Sequence, residues 1–262
     1  MATGQQIETR GHVVGFKEEI SKAAETNDNT FFTWFDAAKD KDTAFVRGSW
    51  DFSLHMAQEF APHISRPEEK VIMEIGHGAG RILAAASRSF KHAIGVDIHE
   101  NNEKVAEELN ARGIDNFTLY QSDGKNLPVP DDSVDCAYSF IVFQHLEKIE
   151  VFEHYLQEIN RVLKPGGVAV IYFGRKYKHS INRDSRLRYL WDKWMEGFRM
   201  PKGYEELPAK VNMTNLRVSL SYARAQASEC GFKVHKELVS KKTVPDGVTL
   251  YGGQNGLVLF KL

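Results

Sequence analysis

The sequence has few cysteines, little net charge and no long apolar segment, and each shortage excludes a class of protein. Two cysteines in 262 residues are too few for a disulfide framework and favour a reducing, cytoplasmic setting. The formal net charge is −1, which argues against a general nucleic-acid-binding protein, because such proteins need a basic face. No apolar run is long enough to cross a bilayer, and no secretory signal is predicted.

Internal repeats and low-complexity linkers are also missing, so one compact unit is expected from a chain of this length. Strand-like and helix-like patterns alternate from residue 71 onward, which predicts an α/β fold with a doubly wound, largely parallel sheet. Helices are predicted over 102–111, 145–163 and 216–230. Strands are predicted over 71–75, 93–97, 117–121, 133–141, 168–173, 232–238 and 249–261.

Two segments of the chain lack the alternation of strands and helices that predicts the sheet. Residues 1–12 are polar and predicted to be loose, and apolar residues recur at helical spacing from about 16 to 64. We therefore predict an N-terminal helical cap over residues 1–65 and the main domain over 66–262. The stretch 175–215 is irregular, basic and aromatic, and we expect it to form a substrate lid inserted after the fifth strand.

The stretch Val71–Arg81, V-I-M-E-I-G-H-G-A-G-R, is the most informative part of the chain. Its first half is apolar except for Glu74, as in a strand buried on both faces of a parallel sheet. Glycines at 76, 78 and 80 follow, and then a helical pattern begins. Strand, glycine turn and helix form a nucleotide cradle, because glycine lets the backbone turn tightly and lie against a ligand.

The glycine spacing distinguishes between nucleotide cofactors. Dinucleotide-binding turns have the pattern G-x-G-x-x-G and hold a pyrophosphate, whereas this chain has E-x-G-x-G-x-G. A carboxylate two positions before Gly76 would repel a pyrophosphate and attract a ligand that carries an ammonium group. The pattern resembles motif I of the class I S-adenosyl-L-methionine (SAM) methyltransferases. The alternative is a turn that only packs a strand against a helix.

Two later segments strengthen the resemblance. Residues 127–135, L-P-V-P-D-D-S-V-D, resemble the family's L-P-F-x-D-x-S-F-D run, with Val129 in place of the usual phenylalanine. Residues 161–167, R-V-L-K-P-G-G, resemble its helix stop before the fifth strand. The resemblance covers residues 70–174. It implies a Rossmann-like sheet of seven strands with the last one antiparallel, SAM as the cofactor, and methyl transfer as the reaction.

The resemblance also assigns cofactor-binding residues at the strand ends. Asp97 is expected to accept hydrogen bonds from the ribose hydroxyls, unless it is only a strand-end cap. Asp123 is expected to accept from the adenine amino group, with an Asx turn before Gly124 as the alternative. Ligands of such sheets lie where the strand order reverses, so residues near the end of the fourth strand should also touch the cofactor. The predicted set comprises Glu74, Gly76, His77, Gly78, Gly80, Asp97, Ile98, Ser122, Asp123, Gly124, Ser139, Phe140 and Gln144.

His145, just after the fourth strand, is the predicted general base. A hydroxyl or protonated amine acceptor must lose a proton, and an imidazole titrates near neutral pH. The alternative is a helix residue without a chemical role. In the cap, Arg47 is predicted to pair with the SAM carboxylate and Trp50 to lie over the sulfonium or the substrate. No metal is predicted.

The acceptor is less clearly indicated than the cofactor. A small molecule acceptor, methylated on oxygen or nitrogen, is predicted, with no membrane partner, and the protein is expected to be a monomer or homodimer. The basic and aromatic run 175–193 indicates an anionic or sugar-like acceptor, an RNA contact, or a solvated amphipathic helix. The near-zero net charge makes RNA the weakest of these.

Two other classes of protein fit parts of the sequence. Tyr172 to Lys176 and Tyr189 to Lys193 match the Tyr-x-x-x-Lys pattern of short-chain dehydrogenases, but the glycine spacing of those enzymes is missing. A SAM-binding module without catalytic activity is the second alternative, although the predicted cofactor residues are all intact.

Overall fold

The fold is described from a computed structural model, which covers residues 10–176, 186–240 and 254–262. Seven strands form the central sheet in the order β3-β2-β1-β4-β5-β9-β8, and β6 and β7 form a separate two-stranded sheet. The strands are β1 (Val71–Ile75), β2 (His92–Asp97), β3 (Phe117–Gln121), β4 (Val134–Ser139), β5 (Leu163–Gly174), β6 (Tyr204–Glu206), β7 (Leu216–Val218), β8 (Phe232–Val239) and β9 (Gln254–Lys261).

The central sheet confirms the predicted fold class. Strand β1 lies in the middle and pairs in parallel with β2 and β4. Strand β9 runs antiparallel to both of its neighbours, β5 and β8. Alternate residues of β1 pack on opposite sides: Ile72 joins the core under the cap helices, and Met73 joins the core under α7 and α9 (defined below). The apolar run with one acid is therefore a strand buried on both faces, as predicted.

Helices cover both faces of the sheet. They are α1 (Phe16–Thr26), α2 (Asp28–Trp34), α3 (Lys41–Asp51), α4 (Gln58–Phe60), α5 (Leu83–Ser87), α6 (Asn102–Ala111), α7 (Ile149–Val162), α8 (Arg186–Arg199) and α9 (Leu220–Glu229), with a π-helical turn over Phe52–Ala57. Among the described residues, no helix is both long and apolar enough to cross a membrane.

The first four helices agree with the predicted helical region ahead of the sheet. Asn27 and Asp40 end the turns between them, and each side chain accepts a hydrogen bond from a backbone N–H of the following helix, Thr30 and Thr43 respectively. Such caps satisfy N–H groups that the helix itself leaves unpaired. The division into a cap and a main domain stays a prediction.

Several predicted boundaries are wrong, and the fourth strand, for example, ends at Ser139 rather than at 141. Residues 216–218 form strand β7, and α9 begins only at Leu220, because the Ser219 side chain caps it by accepting from the Tyr222 N–H. Helix α7 begins at Ile149 instead of 145, where the Glu206 carboxylate accepts from the Ile149 N–H. The fifth strand begins at Leu163, directly after α7, rather than at 168.

Residues 10–12, the described part of the segment predicted to be loose, pack against the rest of the fold. Gly11 is buried and packs directly on Gly124: a Cβ added to Gly11 would lie 2.4 Å from the Gly124 carbonyl carbon. This contact leads the chain across the carboxyl ends of the parallel strands before α1 begins. The segment therefore helps to build the crevice described next.

Candidate active site

A crevice of about 1060 Å³, including its open mouth, lies at the carboxyl ends of β1, β2 and β4. The strand order reverses here, between β1 and β4, which is where open α/β sheets bind their ligands. Nine predicted site residues line it: Glu74, Gly76, His77, Gly78, Asp97, Ile98, Ser122, Phe140 and His145.

The glycine turn forms the floor of the crevice. The Gly76 N–H donates to the Val96 carbonyl at 2.7 Å, which ties the turn to β2. Gly76 and Gly78 have φ values of +79° and +51°, a region that disfavours side chains. A Cβ at Gly76 would come within 2.2 Å of the Val142 side chain. The turn therefore presents bare backbone, which a ligand can approach closely.

The Asp97 carboxylate braces this turn. One oxygen accepts from the Gly78 N–H and the other from the Ile98 N–H, each at 2.7 Å. Burial would raise the pKa of Asp97, but nearby His99 and His77 and the two N–H donors outweigh it and lower that pKa below its ordinary value. The oxygen that binds Ile98 also accepts from the His99 N–H at 3.4 Å, whereas the oxygen that binds Gly78 keeps a second lone pair and can accept from a ligand hydroxyl.

Glu74 is a second acid on the crevice wall, and its surroundings raise its pKa, whereas those of Asp97 lower it. Its side chain is 2 % exposed and accepts a hydrogen bond from the Tyr138 hydroxyl at 3.0 Å. Burial raises the pKa of Glu74 to about 8, although the Tyr138 hydrogen bond and the charge of Arg81 act to lower it. The group is therefore mostly protonated at neutral pH, and a cation bound beside it would favour its ionised form.

His77 and His99 lie beside Asp97, with their ring centroids 5.1 Å apart. Burial lowers the pKa of His77 to about 4, so this ring is neutral at physiological pH. His99 contacts the Gly78 carbonyl through Nε2 and the Asn101 N–H through Nδ1. With one nitrogen donating and the other accepting, His99 has no lone pair left for a metal ion. The three residues therefore support the glycine turn rather than a metal centre.

His145 faces the same crevice. Its Nδ1 lies 2.7 Å from the Met213 carbonyl, which can only accept, so Nδ1 carries the hydrogen and Nε2 carries the lone pair. Nε2 lies 3.2 Å from the Gln144 amide nitrogen. Burial lowers the pKa of His145, although the Met213 contact acts to raise it. The ring is therefore neutral at pH 7 and can accept a proton.

Arg81, which ends the glycine stretch but is not among the predicted binding residues, lies on the wall of the crevice. Its guanidinium is 2.5 Å from the Asp51 carboxylate and 3.8 Å from that of Asp36. The predicted residue Arg47 lies outside the crevice lining and instead pairs with Asp36 at 3.6 Å and donates to its carbonyl. Trp50 is 37 % exposed on α3 and does not line the crevice either.

Five other predicted binding residues also lie off the crevice wall, each held by local contacts. Asp123 forms an Asx turn, accepting from the backbone of Lys125 and Asn126 and from the Asn126 side chain. The Ser139 hydroxyl donates to the Ile75 carbonyl. The others are Gly80, which packs on α6, Gly124, which packs on Gly11, and Gln144, which contacts His145.

The cap supplies an aromatic wall that the sequence pattern does not reveal. Phe16, Trp34 and Phe35 line the crevice. The Phe16 ring meets those of Trp34 and His145 edge to face, at 6.1 and 5.6 Å between centroids. The run Phe31–Phe35 was the available signal, but its helical spacing indicates only a buried face and not which residues border a cavity.

One alternative class loses support at this point. Tyr172 is a buried β5 residue whose hydroxyl donates to the His55 carbonyl, and Lys176 pairs with Glu205. Neither lines the crevice. The Tyr-x-x-x-Lys match at 172–176 therefore does not form a dehydrogenase site. The second match lies on α8, and its side chains are outside the described part of the structure.

A family model described as a methyltransferase domain matches residues 73–171, which hold the glycine turn, β4 and α7. The uncharacterized methyltransferase YcgJ of Bacillus subtilis is 33% identical over 103 residues, 38% of either chain. A demethylmenaquinone methyltransferase of Staphylococcus carnosus is 44% identical over 88 residues, covering 34% of this chain and 35% of its own. The match thus spans about a third of the length of these curated relatives.

The fold agrees with this match. A SAM-dependent methyltransferase of Methanosarcina mazei superimposes with a TM-score of 0.54 at 19% identity, over 78% of this chain and 96% of its own. Residues 73–171 therefore match a methyltransferase domain, and the fold is that of SAM-dependent methyltransferases. A domain of this kind uses SAM as its cofactor. The bare glycine turn and the two acids on the wall suit that cofactor, since it carries a ribose and an ammonium group.

Proposed function

We propose that this methyltransferase transfers the methyl group of SAM to an oxygen or nitrogen atom of a small molecule. The observation that carries the proposal is that one crevice is lined both by the glycine turn with Asp97 and by His145 with an aromatic wall. The glycine turn and Asp97 suit a nucleoside. His145 and the aromatic side chains suit an apolar acceptor that must lose a proton.

SAM, when bound, supplies an electrophilic methyl group on a sulfonium. We infer that the Gly76–Gly78 backbone passes under its methionine part and that Asp97 accepts from its ribose hydroxyls. Glu74 is suited to the ammonium, since it borders the same floor of the crevice. Arg81 replaces Arg47 as the proposed partner of the cofactor carboxylate, because Arg81 lines the crevice and Arg47 does not.

His145 is the proposed general base. Its Nε2 lone pair is available once the Gln144 amide moves or is replaced, and the Met213 carbonyl holds the ring in one tautomer. Positioning of the acceptor against the methyl group accounts for the rest of the acceleration. The aromatic wall of Phe16, Trp34 and Phe35 would hold the apolar body of the acceptor in line.

The small-molecule character of the acceptor rests on this enclosed aromatic wall and on the relatives, one of which is named for demethylmenaquinone. An RNA acceptor is the alternative, supported by the basic composition of 175–193, of which 177–185 lie outside the described residues. The lid role of 175–215, a cytoplasmic location and a monomeric or homodimeric state are parts of the proposal.

The first experiment is titration calorimetry with SAM, with NAD as the comparison. We expect saturable SAM binding and none with NAD. A second step incubates the protein with SAM labelled in its methyl group and either a small-molecule metabolite pool or total RNA. Label in a small molecule supports the proposal, label in RNA supports the alternative, and SAM binding with no labelled product in either arm would identify a non-catalytic module.

A further inference from the structure

Helix α8 turns its apolar face toward solvent. Five large apolar side chains are exposed, at spacings that bring them onto one stripe of the helix: Leu187 at 79 %, Leu190 at 52 %, Trp191 at 61 %, Trp194 at 59 % and Phe198 at 73 %. The Trp194 ring stacks on that of Phe198, with centroids 5.9 Å apart, and lies 5.2 Å from that of Trp191. Among the described residues, nothing covers this stripe.

The opposite side of the helix holds α8 in this orientation. Glu196 is 6 % exposed, and its carboxylate accepts from the Asn255 amide of β9. Met200, just past the helix end, is 3 % exposed. A polar residue thus faces the domain while two tryptophans and a phenylalanine face outward, which is the reverse of an ordinary surface helix. A contiguous exposed apolar patch of this kind marks an interaction site.

The composition of the sequence that contains the stripe indicates what covers it. Residues 175–202 contain nine lysines and arginines against three acids, in a chain whose net charge is −1. A helix with Trp, Phe and Leu on one face, in a basic segment of sequence, is suited to the interface of a membrane that contains anionic lipid. Tryptophan suits that depth, since its ring is apolar and its N–H reaches water. Pairing with a second copy is disfavoured, because two basic segments would be brought together.

We propose that α8 docks this methyltransferase, through its Leu187–Phe198 stripe, onto the surface of membranes that contain anionic phospholipid. Helix α8 follows β5, whose carboxyl end lies at the same edge of the sheet as the crevice. Docking would therefore bring that edge of the protein toward the bilayer. The inference replaces the expectation that the protein has no membrane partner. It goes beyond the proposed function, because it concerns where the protein resides and holds whether or not methyl transfer occurs.

The test is co-sedimentation of the full chain with vesicles, without SAM or an acceptor. Vesicles of phosphatidylcholine alone are compared with vesicles of equal parts phosphatidylcholine and phosphatidylglycerol. We expect binding to the anionic vesicles, with a blue shift of tryptophan fluorescence, and weaker binding at high salt because charge attraction is screened. The double variant Trp191→Ser/Trp194→Ser should lower the partition coefficient roughly tenfold or more.

A matched control removes exposed apolar side chains from another surface. The variant Val46→Ser/Leu54→Ser alters residues that are 49 % and 37 % exposed on the cap, and it should bind vesicles as the wild type does. Circular dichroism and thermal unfolding check that each variant is folded. The proposal is overturned if wild type ignores anionic vesicles, if the tryptophan variant binds them equally well, or if sedimentation velocity shows a dimer that this variant dissociates.

Discussion

At the scale of single residues, two buried carboxyl groups in one crevice have opposite protonation states. Asp97 is ionised because two backbone N–H groups and two histidines compensate for its burial. At Glu74 burial outweighs the Tyr138 hydrogen bond and the charge of Arg81, and the pKa rises to about 8. The balance between burial, nearby charges and hydrogen bonds therefore decides which acid carries charge before a ligand arrives.

Glu74 should lose its proton when a cationic ligand binds. In the free protein it is mostly protonated at pH 7, and the positive charge of SAM lowers its pKa, so binding releases a fraction of a proton. Calorimetry at pH 7 in two buffers of different ionisation enthalpy measures this release. We expect proton release from the wild type and almost none from Glu74→Gln, which keeps the shape but cannot ionise. Equal proton release from both proteins would mean that the pKa of Glu74 does not change when the ligand binds.

His145 should determine turnover but not cofactor affinity. General bases contribute roughly a hundredfold or more to rate, so His145→Ala should lower kcat by about that factor at saturating SAM, with the Kd for SAM unchanged. The pKa of His145 is lowered, so the neutral, active form persists below pH 6.5 and kcat should decline only under that value. His154→Ala, which alters a histidine that contacts Asn126, is the control. A loss under about threefold would remove His145 from the mechanism.

At the scale of elements, helix α3 reaches the glycine turn only because Gly48 lacks a side chain. A Cβ at this position would lie 2.2 Å from the Arg81 carbonyl oxygen. The same approach permits the buried Arg81–Asp51 ion pair. Backbone oxygens cannot move aside as a flexible side chain can, so this contact fixes where the cap closes the crevice.

Gly48→Ala should therefore destabilise the protein, although alanine is the better helix former. Overpacking of this kind costs about 1–3 kcal/mol in the free energy of unfolding, measurable by urea denaturation. Gly197→Ala is the matched control, since Gly197 also lies in a helix and has open space where a Cβ would lie, and it should be neutral or stabilising by roughly 1 kcal/mol. Equal stabilisation of both variants would show that α3 does not rest on the turn.

At the scale of the whole molecule, cofactor binding should couple the cap to the sheet. The crevice is lined both by the strand ends and by residues of α1 and α2, so a ligand in it contacts both parts. Neither part alone completes the lining, which makes the folded chain as a whole the binding unit.

SAM should raise the thermal stability of the intact chain. At a ligand concentration of about one hundred times Kd, binding contributes about 2.7 kcal/mol, which corresponds to roughly 5–10 °C in Tm for a chain of this size. Differential scanning fluorimetry measures the shift, and NAD is the control ligand. A comparable shift with NAD, or none with SAM, would contradict the assignment of the crevice.

Features that depend on a local pattern could be predicted from the sequence. The apolar run of β1, the three alternate glycines, Asp97 at the end of β2 and the helix stop before β5 are each written in a few consecutive residues. Their order along the chain is enough to indicate the sheet and its cofactor. Backbone geometry at glycine and strand periodicity need no knowledge of distant neighbours.

Features that depend on residues far apart in the chain became visible only in the folded structure. It placed Arg81 on the crevice wall, opposite Asp51, and left Arg47 outside it. It closed Asp123 into its own turn, brought Phe16 and Trp34 against His145, and set the tryptophans of α8 outward. A helical pattern reveals that one face is apolar, but only packing decides whether that face meets the core, a cavity or solvent.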